Sequence, residues 1–247
     1  MEIALRTDIG QKRSDNQDFI NHFYNKSDVP LIILADGMGG HRAGNIASEL
    51  TVTDLGKVWE ETDFNDLSQI RDWMIDIIEK ENQKIHDLGQ EDSYRGMGTT
   101  IEAVAVVDKA ALYAHLGDSR IGLVREGQYQ QLTTDHSLVN ELLRAGQITE
   151  EEAATHPQRN IITQSIGQQN PIELDLGVQQ LEANDFIVMN SDGLTNMISN
   201  ETIVNILLAD DTSLSDKAEQ LVVEANKAGG LDNITVGLLH VEGEAAS

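Results

Sequence analysis

Short apolar runs mark the predicted strands of this chain. Most of them are five to eight residues long, and polar or glycine-containing segments separate them. Runs of this length between turn-forming residues are typical of strands that are buried in a sheet. The predicted strands are Ile3–Thr7, Phe19–Phe23, Leu31–Ala35, Thr100–Val107, Ala111–Leu116, Ile121–Arg125, Tyr129–Leu132, Glu173–Val178, Phe186–Asn190 and Ile234–Val241.

Apolar residues at three- and four-residue spacing predict helices elsewhere. One helix follows Ala43, and a clearer one covers Ile70–Leu88, with Gly89 available for its C-terminal turn. Two more are predicted after Ser199 and over 214–229.

Residues 136–166 differ from their surroundings because they predict short helices between strands. The first of these helices covers 138–143 and ends near Gly146. Thr149 and Glu152 have the spacing of a capping box and open a second helix, which Pro157 ends. We therefore interpret 136–166 as a helical insertion.

The order of the elements favours an α+β fold. Strands come in groups and do not alternate with helices, so antiparallel sheets with helices packed outside them are expected. No Pro/Gly/Ser-rich linker divides the chain, and we predict one domain over 1–247.

Composition narrows the functional classes. The chain has 42 acidic and 17 basic residues and a net charge of −25, which argues against nucleic-acid binding through diffuse basic charge. Without cysteine it has neither disulfides nor thiolate metal sites. It has no signal peptide and no apolar run of about 18 residues, so we expect a cytoplasmic protein without membrane insertion. An anionic substrate would require a local source of positive charge.

Four aspartates stand at the ends of predicted strands, each with a glycine within three residues. Asp36, Asp118 and Asp192 follow strands, whereas Asp232 precedes one. In antiparallel sheets the start of one strand lies beside the end of its neighbour, so the four can converge on one edge. Clustered carboxylates repel one another unless they are protonated or neutralised, and all-oxygen sets suit Mg²⁺ or Mn²⁺ better than Zn²⁺. Any one of these aspartates by itself is more typical of a turn or cap residue, and the pattern of all four leaves the turn and the metal interpretations open.

Eight blocks in order along the chain resemble one family. They are TDIGQKRSDNQD (7–18), ILADGMGGHRAG (33–44), GMGTT (96–100), AHLGDSRIGLV (114–124), TTDHSLVNELLRAGQIT (133–149), NIITQSIG (160–167), NSDGLTNMIS (190–199) and GGLDNITV (229–236). Through them the chain resembles the metal-dependent protein serine/threonine phosphatases of the PP2C class, of the compact bacterial, streptococcal type. The resemblance implies two antiparallel sheets packed as a sandwich between helices, with 136–166 as a flap.

The resemblance also implies the activity and its site. It implies hydrolysis of phosphoserine and phosphothreonine on proteins by a metal-bound hydroxide, with two Mn²⁺ or Mg²⁺ ions and a third, weaker ion. Partners would be phosphoproteins, including a membrane-anchored serine/threonine kinase that the enzyme opposes. The implied site residues are Asp36 bridging the two ions, the Gly37 carbonyl on one of them, Asp192 and Asp232 on the other, Asp118 with Asp192 on the third, Asp18 orienting metal-bound water, and Arg13 gripping the phosphate.

Two positions depart from some relatives, and the roles of two histidines also have to be assigned. Met38 replaces a histidine that is often assigned as general acid. His41, three residues on, is one alternative acid, and metal-bound water is the other and the favoured one. Gln17 stands where some relatives have a glutamate ligand. His136 is expected to be structural.

Two other classes of function remain as alternatives. They are a non-catalytic phosphoprotein-binding scaffold on the same fold and a Ca²⁺-binding structural domain, although the chain lacks a D-x-D-x-D-G loop. The physiological substrates, the preferred metal and the general acid do not follow from the sequence, and a monomer is the default expectation.

Overall fold

Two antiparallel sheets form the centre of the fold in the computed structural model, which describes residues 1–39, 43–169 and 171–243. The first sheet has the order β1 (Glu2–Asp8), β11 (Ile234–His240), β10 (Phe186–Asn190), β7 (Arg120–Arg125) and β8 (Gln128–Gln131). The second has the order β2 (Asp18–Tyr24), β3 (Pro30–Met38), β5 (Ile101–Val107), β6 (Ala110–Leu116) and β9 (Asp175–Gln180), and β4 (Gly98–Thr99) also pairs with β3.

Helices cover the outer faces of both sheets. Those on the second sheet are α1 (Ala43–Glu60) and α2 (Leu67–Leu88), followed by a single 3₁₀ turn at Asp92–Tyr94. Those on the first sheet are α5 (Asp192–Thr195), α6 (Asn200–Leu207) and α7 (Leu214–Lys227), while the insertion contains α3 (Leu138–Arg144) and α4 (Glu150–Ala154). This confirms the predicted sandwich of antiparallel sheets between helices. None of the helices in the described ranges combines the length and apolar character needed to cross a membrane.

Strand β3 shows how the layers are held together. Leu31 and Ile33 pack towards the helices, in a cluster with Trp59 of α1, whereas Ile32 and Leu34 pack between the two sheets. All five side chains are almost fully buried. Burying an aliphatic side chain of this size contributes about 1.5–3 kcal/mol, so the strand that carries Asp36 is held firmly on both faces.

The end of β3 differs from the prediction. The strand continues through Asp36 to Met38, because β4 pairs with Gly37 and Met38. Asp36 therefore lies inside a paired strand and not after its end. The predicted strand from Glu173 begins two residues later, at Asp175, and Asp192 opens a helical turn that the apolar pattern does not predict.

The flap segment 136–166 has the two predicted helices. The capping box is present, since the Glu152 N–H donates to Thr149 Oγ1 over 3.2 Å and the Thr149 N–H donates to Glu152 Oε2 over 2.8 Å. Gly146 adopts φ +67°, which ends the turn after α3. No residue of α3 is fully buried. That 1–247 form one domain stays a prediction.

Candidate metal centre

The candidate aspartates meet at one end of the sandwich. Asp18 opens β2 and lies directly opposite Asp36 in the pairing of β2 with β3. Asp192 follows β10, Asp232 precedes the neighbouring β11, and Asp118 lies in the turn from β6 to β7. Burial raises the pKa of Asp36 well above its ordinary value, and the carboxylates of the other four aspartates raise it further. The structure thus brings together these five carboxylates, and we call the end of the sandwich that carries them the aspartate edge.

Burial and mutual repulsion also raise the pKa values of two other carboxyl groups at this edge, those of Asp192 and Asp118. Burial, followed by the charges of Asp118 and Asp232, raises the pKa of Asp192 to about 8. The pKa of Asp118 rises to about 7 through burial and the nearby charges of Asp135 and Glu102. Such groups retain protons near neutral pH unless cations neutralise them, so this edge has a strong electrostatic demand for positive charge.

Asp18 is held by a buried serine. The Ser191 hydroxyl donates to Asp18 Oδ2 over 2.7 Å and accepts the Thr235 N–H over 3.0 Å. Burial raises the pKa of Asp18 to about 6, although the Ser191 bond lowers it. The other oxygen, Asp18 Oδ1, is buried and has no hydrogen-bond partner among the described residues. The contacts fix one carboxylate oxygen and leave the other available to a ligand.

Glycine is required at position 37 by the close approach of α1. The Gly37 N–H donates to the Gln17 carbonyl over 3.0 Å. A Cβ on Gly37 would lie 2.1 Å from the Gly44 carbonyl oxygen, and a Cβ on Gly44 would lie 2.8 Å from the Gly37 carbonyl oxygen. Glycine at both positions allows the helix to pack on the strand and leaves the Gly37 carbonyl oxygen unobstructed by a side chain.

Arginines supply the local positive charge that an acidic protein would need for an anionic substrate. Arg13 donates to Asp232 Oδ2 over 2.5 Å, and its side chain is half exposed. Arg120 forms a two-pronged ion pair with Asp135, with bonds of 2.9 and 2.6 Å. Both arginines and Arg159 of the flap line a cleft of about 640 Å³.

The same cleft is bordered by the candidate ligands Asp118, Asp192 and Asp232 and by the flap helices α3 and α4. The flap therefore lies beside the aspartate edge, as its position in the sequence predicts.

Comparison with known proteins identifies the family. A family model described as protein phosphatase 2C matches residues 10–226. The chain belongs to the protein phosphatase 2C family. It is 66% identical to a putative protein phosphatase 2C-type of Streptococcus pyogenes serotype M6, over 99% of each chain.

Solved structures of this family agree with the fold. The chain is 68% identical to the S. agalactiae serine/threonine phosphatase, with a TM-score of 0.96 and coverage of 98% of this chain and 99% of that one. It is 30% identical to the catalytic domain of the serine/threonine protein phosphatase PstP in complex with two manganese ions, with a TM-score of 0.84 and coverage of 98% and 99%.

The residues present at the aspartate edge fit divalent metal ions. The candidate donors are all oxygen atoms, and Oδ1 of Asp18 and Oδ1 of Asp118 are buried and have no hydrogen-bond partner within the described ranges. Burial, together with mutual repulsion, raises the pKa values of Asp118 and Asp192. However, in the part of the chain that the structure describes, no three acidic or histidine side chains already enclose one ion position.

Sequence reasoning missed two residues that organise this edge. One is Ser191, and the other is Asn233, whose side chain accepts the Gln17 N–H over 2.9 Å and donates to the carbonyls of Ile9 and Asp15 over 2.9 and 3.0 Å. Because Asn233 directly follows Asp232, these bonds hold the loop that carries Arg13 beside Asp232. The sequence could have pointed to both residues, because Ser191 directly precedes Asp192 and Asn233 directly follows Asp232.

The candidate histidines have different outcomes. His41 lies outside the described residues. Met38, where some relatives have histidine, pairs with Gly98 at the end of β3 and brings no acid–base group. His136 accepts the Gly117 N–H at Nδ1 over 3.1 Å, and its Nε2 lies 3.3 Å from Asp175 Oδ2. These contacts support its expected structural role.

Proposed function

We propose that this protein hydrolyses phosphoserine and phosphothreonine on proteins at the aspartate edge, with two Mn²⁺ or Mg²⁺ ions held by Asp36, the Gly37 carbonyl, Asp192 and Asp232. Membership of the protein phosphatase 2C family makes it a metal-dependent protein serine/threonine phosphatase. The observation that carries the assignment of the site is the convergence of Asp18, Asp36, Asp118, Asp192 and Asp232 beside a cleft that contains Arg13. The two manganese ions of PstP support the number of ions.

Each group of the chain has a distinct part in this proposal. Two divalent ions, when bound, lower the pKa of water so that a nucleophile is available near neutral pH, and they stabilise the charge of the transferring phosphoryl group. Asp36, on a strand buried on both faces, fixes the centre of the ligand set. Asp18 orients water, with Ser191 holding its Oδ2. Arg13 binds the phosphate through its guanidinium, whose two-pronged geometry matches phosphate oxygens.

The pairing of Arg13 with Asp232 has a consequence for substrate binding. The guanidinium lies within 2.5 Å of a candidate metal ligand, and therefore close to where the phosphate must lie. A cation held by Asp232 would compete with Arg13 for that carboxylate, and we infer that the Arg13 guanidinium would then be available to the substrate phosphate.

Three finer assignments extend the proposal. Asp118, with one buried oxygen unpartnered, would hold a third, weaker ion together with Asp192. The flap would contact the protein part of the substrate, because its helices form a wall of the cleft. The substrates would include a membrane-anchored serine/threonine kinase that this enzyme opposes. The expected cytoplasmic location stays a prediction.

Phosphate release from a phosphothreonine peptide tests the proposed function. We expect release with Mn²⁺ or Mg²⁺ and none after chelation. Asp36→Asn should lower kcat by orders of magnitude, since it removes a ligand charge. The matched control is Asp72→Asn, which removes one exposed carboxylate from α2 and should act as wild type. Full activity under chelation would refute the metal mechanism. Peptide binding without hydrolysis would favour the scaffold alternative, and Ca²⁺ binding without hydrolysis the structural one.

A further inference from the structure

A buried polar pair lies behind the aspartate edge and has no part in the chemistry proposed above. Glu102 of β5 and His115 of β6 face each other in the sheet register, and both side chains are 0% exposed. Glu102 Oε1 lies 3.1 Å from His115 Nδ1. Burying a carboxylate and an imidazole is costly unless each polar atom finds a partner. The partners of this pair are the Thr100 hydroxyl and the Thr134 carbonyl, which connect it to the segments that carry Asp36, Asp118 and the flap.

The Thr100 hydroxyl connects the pair to both aspartate segments. Its Oγ1 lies 3.0 Å from the Asp36 nitrogen, 3.3 Å from Glu102 Oε2 and 3.1 Å from Ser119 Oγ. A hydroxyl has one hydrogen and can accept two bonds. It therefore accepts the Asp36 N–H and the Ser119 O–H and donates to Glu102. One oxygen atom thus joins the backbone of Asp36 to the residue that follows Asp118.

His115 connects the pair to the chain that leads into the flap. Its Nε2 lies 3.0 Å from the Thr134 carbonyl oxygen. A carbonyl oxygen only accepts, so Nε2 carries a proton. One further proton then lies between His115 Nδ1 and Glu102 Oε1. The hydrogen bond between these two atoms forms whether the proton is on the nitrogen or on the oxygen.

A second histidine extends the contact to both ends of the flap. The His136 ring stacks on His115 with centroids 4.7 Å apart. The Gly117 N–H donates to His136 Nδ1, and the His136 N–H donates to the Gly117 carbonyl over 2.7 Å. The His136 carbonyl accepts the Thr163 N–H over 2.9 Å. The turn before Asp118, the start of the flap and its end therefore meet at His136, whose ring packs on His115.

We propose that Glu102 and His115 are positioning residues that fix Asp36 and the Asp118 turn relative to each other and hold the base of the flap against both. Neither touches the cleft, and they act through Thr100, Thr134 and His136. The importance of this placement for catalysis rests on the proposed function, because Asp36 and Asp118 are its candidate ligands. The placement itself can be measured in metal-free protein.

Hydrogen exchange on metal-free protein tests the proposal with three variants. Glu102→Ala removes the carboxylate from the network. Glu102→Gln keeps it, because the amide oxygen can accept from Thr100 and the amide N–H can donate to His115 Nδ1. Glu81→Ala is the matched control, since it also removes a buried carboxylate, but from α2, where Lys84 is its salt-bridge partner.

We expect the amides of Asp36, Gly117 and Thr163 to exchange about tenfold or more faster in Glu102→Ala, because loss of a hydrogen bond to a charged group costs at least that factor. Glu102→Gln should protect them nearly as wild type does, and Glu81→Ala should leave them unchanged. Equal exchange at these amides in Glu102→Ala and Glu81→Ala would overturn the proposal. So would Glu102→Gln behaving like Glu102→Ala.

Two further measurements keep the test decisive. If Glu102→Ala does not fold, Thr100→Val removes the hydroxyl at nearly constant shape, and Asp36 exchange at the wild-type rate would then refute the link. Calorimetry with Mn²⁺ separates the positioning role from the proposed function. Faster exchange with weaker Mn²⁺ binding and lower kcat at unchanged KM supports both. Faster exchange with unaltered Mn²⁺ binding upholds the positioning role and counts against Asp36 and Asp118 as ligands.

Discussion

Replacing Ser191 by alanine should reveal how strongly the fold holds Asp18. The Ser191 hydroxyl is fully buried and makes two bonds, to Asp18 Oδ2 and from the Thr235 N–H. Alanine leaves a buried carboxylate oxygen without its donor and a buried N–H without its acceptor. A bond to a charged group contributes about 1.5–3 kcal/mol, and a buried unsatisfied amide costs about 1–3 kcal/mol. Allowing for partial relaxation, we expect a loss of about 2–4 kcal/mol in the free energy of unfolding, a large share of the roughly 5–15 kcal/mol of a typical domain.

Urea unfolding of metal-free protein at two pH values measures this loss. At pH 8 Asp18 is ionised and needs the donor, whereas near pH 5 it is protonated, since its pKa is about 6. The loss should therefore be larger at pH 8. Ser165→Ala is the control, because Ser165 is also buried but its hydroxyl, among the described residues, makes only a long bond of 3.4 Å, from Gln168. With Mn²⁺ present, Ser191→Ala should lower kcat on a small aryl phosphate and leave KM nearly unchanged.

Two results would refute the reasoning about Ser191. One is a loss in Ser191→Ala no larger than in Ser165→Ala. The other is a loss that is the same at pH 5 and pH 8, which would mean that the Asp18 charge is not what the serine stabilises.

Three further predictions concern the edge, the arginine and the flap. The raised carboxyl pKa values mean that the folded metal-free protein binds more protons than the unfolded chain. Its free energy of unfolding should therefore fall as pH rises from about 4 to 8, and Mn²⁺ should reduce that fall, whereas a stability that does not change with pH would contradict the prediction. Arg13→Ala should raise KM more than it lowers kcat, whereas the control Lys12→Ala, which removes a neighbouring charge, should change KM and kcat much less. An unchanged KM in Arg13→Ala would exclude phosphate binding by Arg13. Flap amides in 138–154 should exchange faster than those of 31–35, and trimming 146–152 should slow hydrolysis of phosphoproteins far more than hydrolysis of an aryl phosphate. Equal exchange rates, together with equal slowing of both substrates, would make the flap part of the core.

The chain pattern alone located nearly every element of this fold. Strand Phe186–Asn190 and the capping box at Thr149 appear as predicted, because burial on both faces of a sheet and cap hydrogen bonds leave local signatures. Four of the candidate aspartates, Asp36, Asp118, Asp192 and Asp232, were also marked locally, since each lies beside the end of a predicted strand and close to a glycine. Their roles as ligands came from the resemblance to a family and stay predictions here.

Some features depend on partners that are distant in sequence. Strand β3 runs on to Met38 only because Gly98 and Thr99 pair with it, some sixty residues later. Glycine at 37 is required by the approach of Gly44, which the pattern around Asp36 does not reveal.

The apolar periodicity and the turn residues indicated antiparallel sheets with helices outside them, the helical insertion and four of the candidate carboxylates, because these are encoded in local burial and turn chemistry. The sandwich and the flap came from the family resemblance. Only the tertiary structure showed that Asp232 holds Arg13, that Ser191 holds Asp18, and that Glu102 and His115 stand behind both sides of the edge. The physical reason is that a hydrogen bond between buried groups has no periodicity along the chain. It depends on which strands become neighbours, and that is settled only when the two sheets pack together.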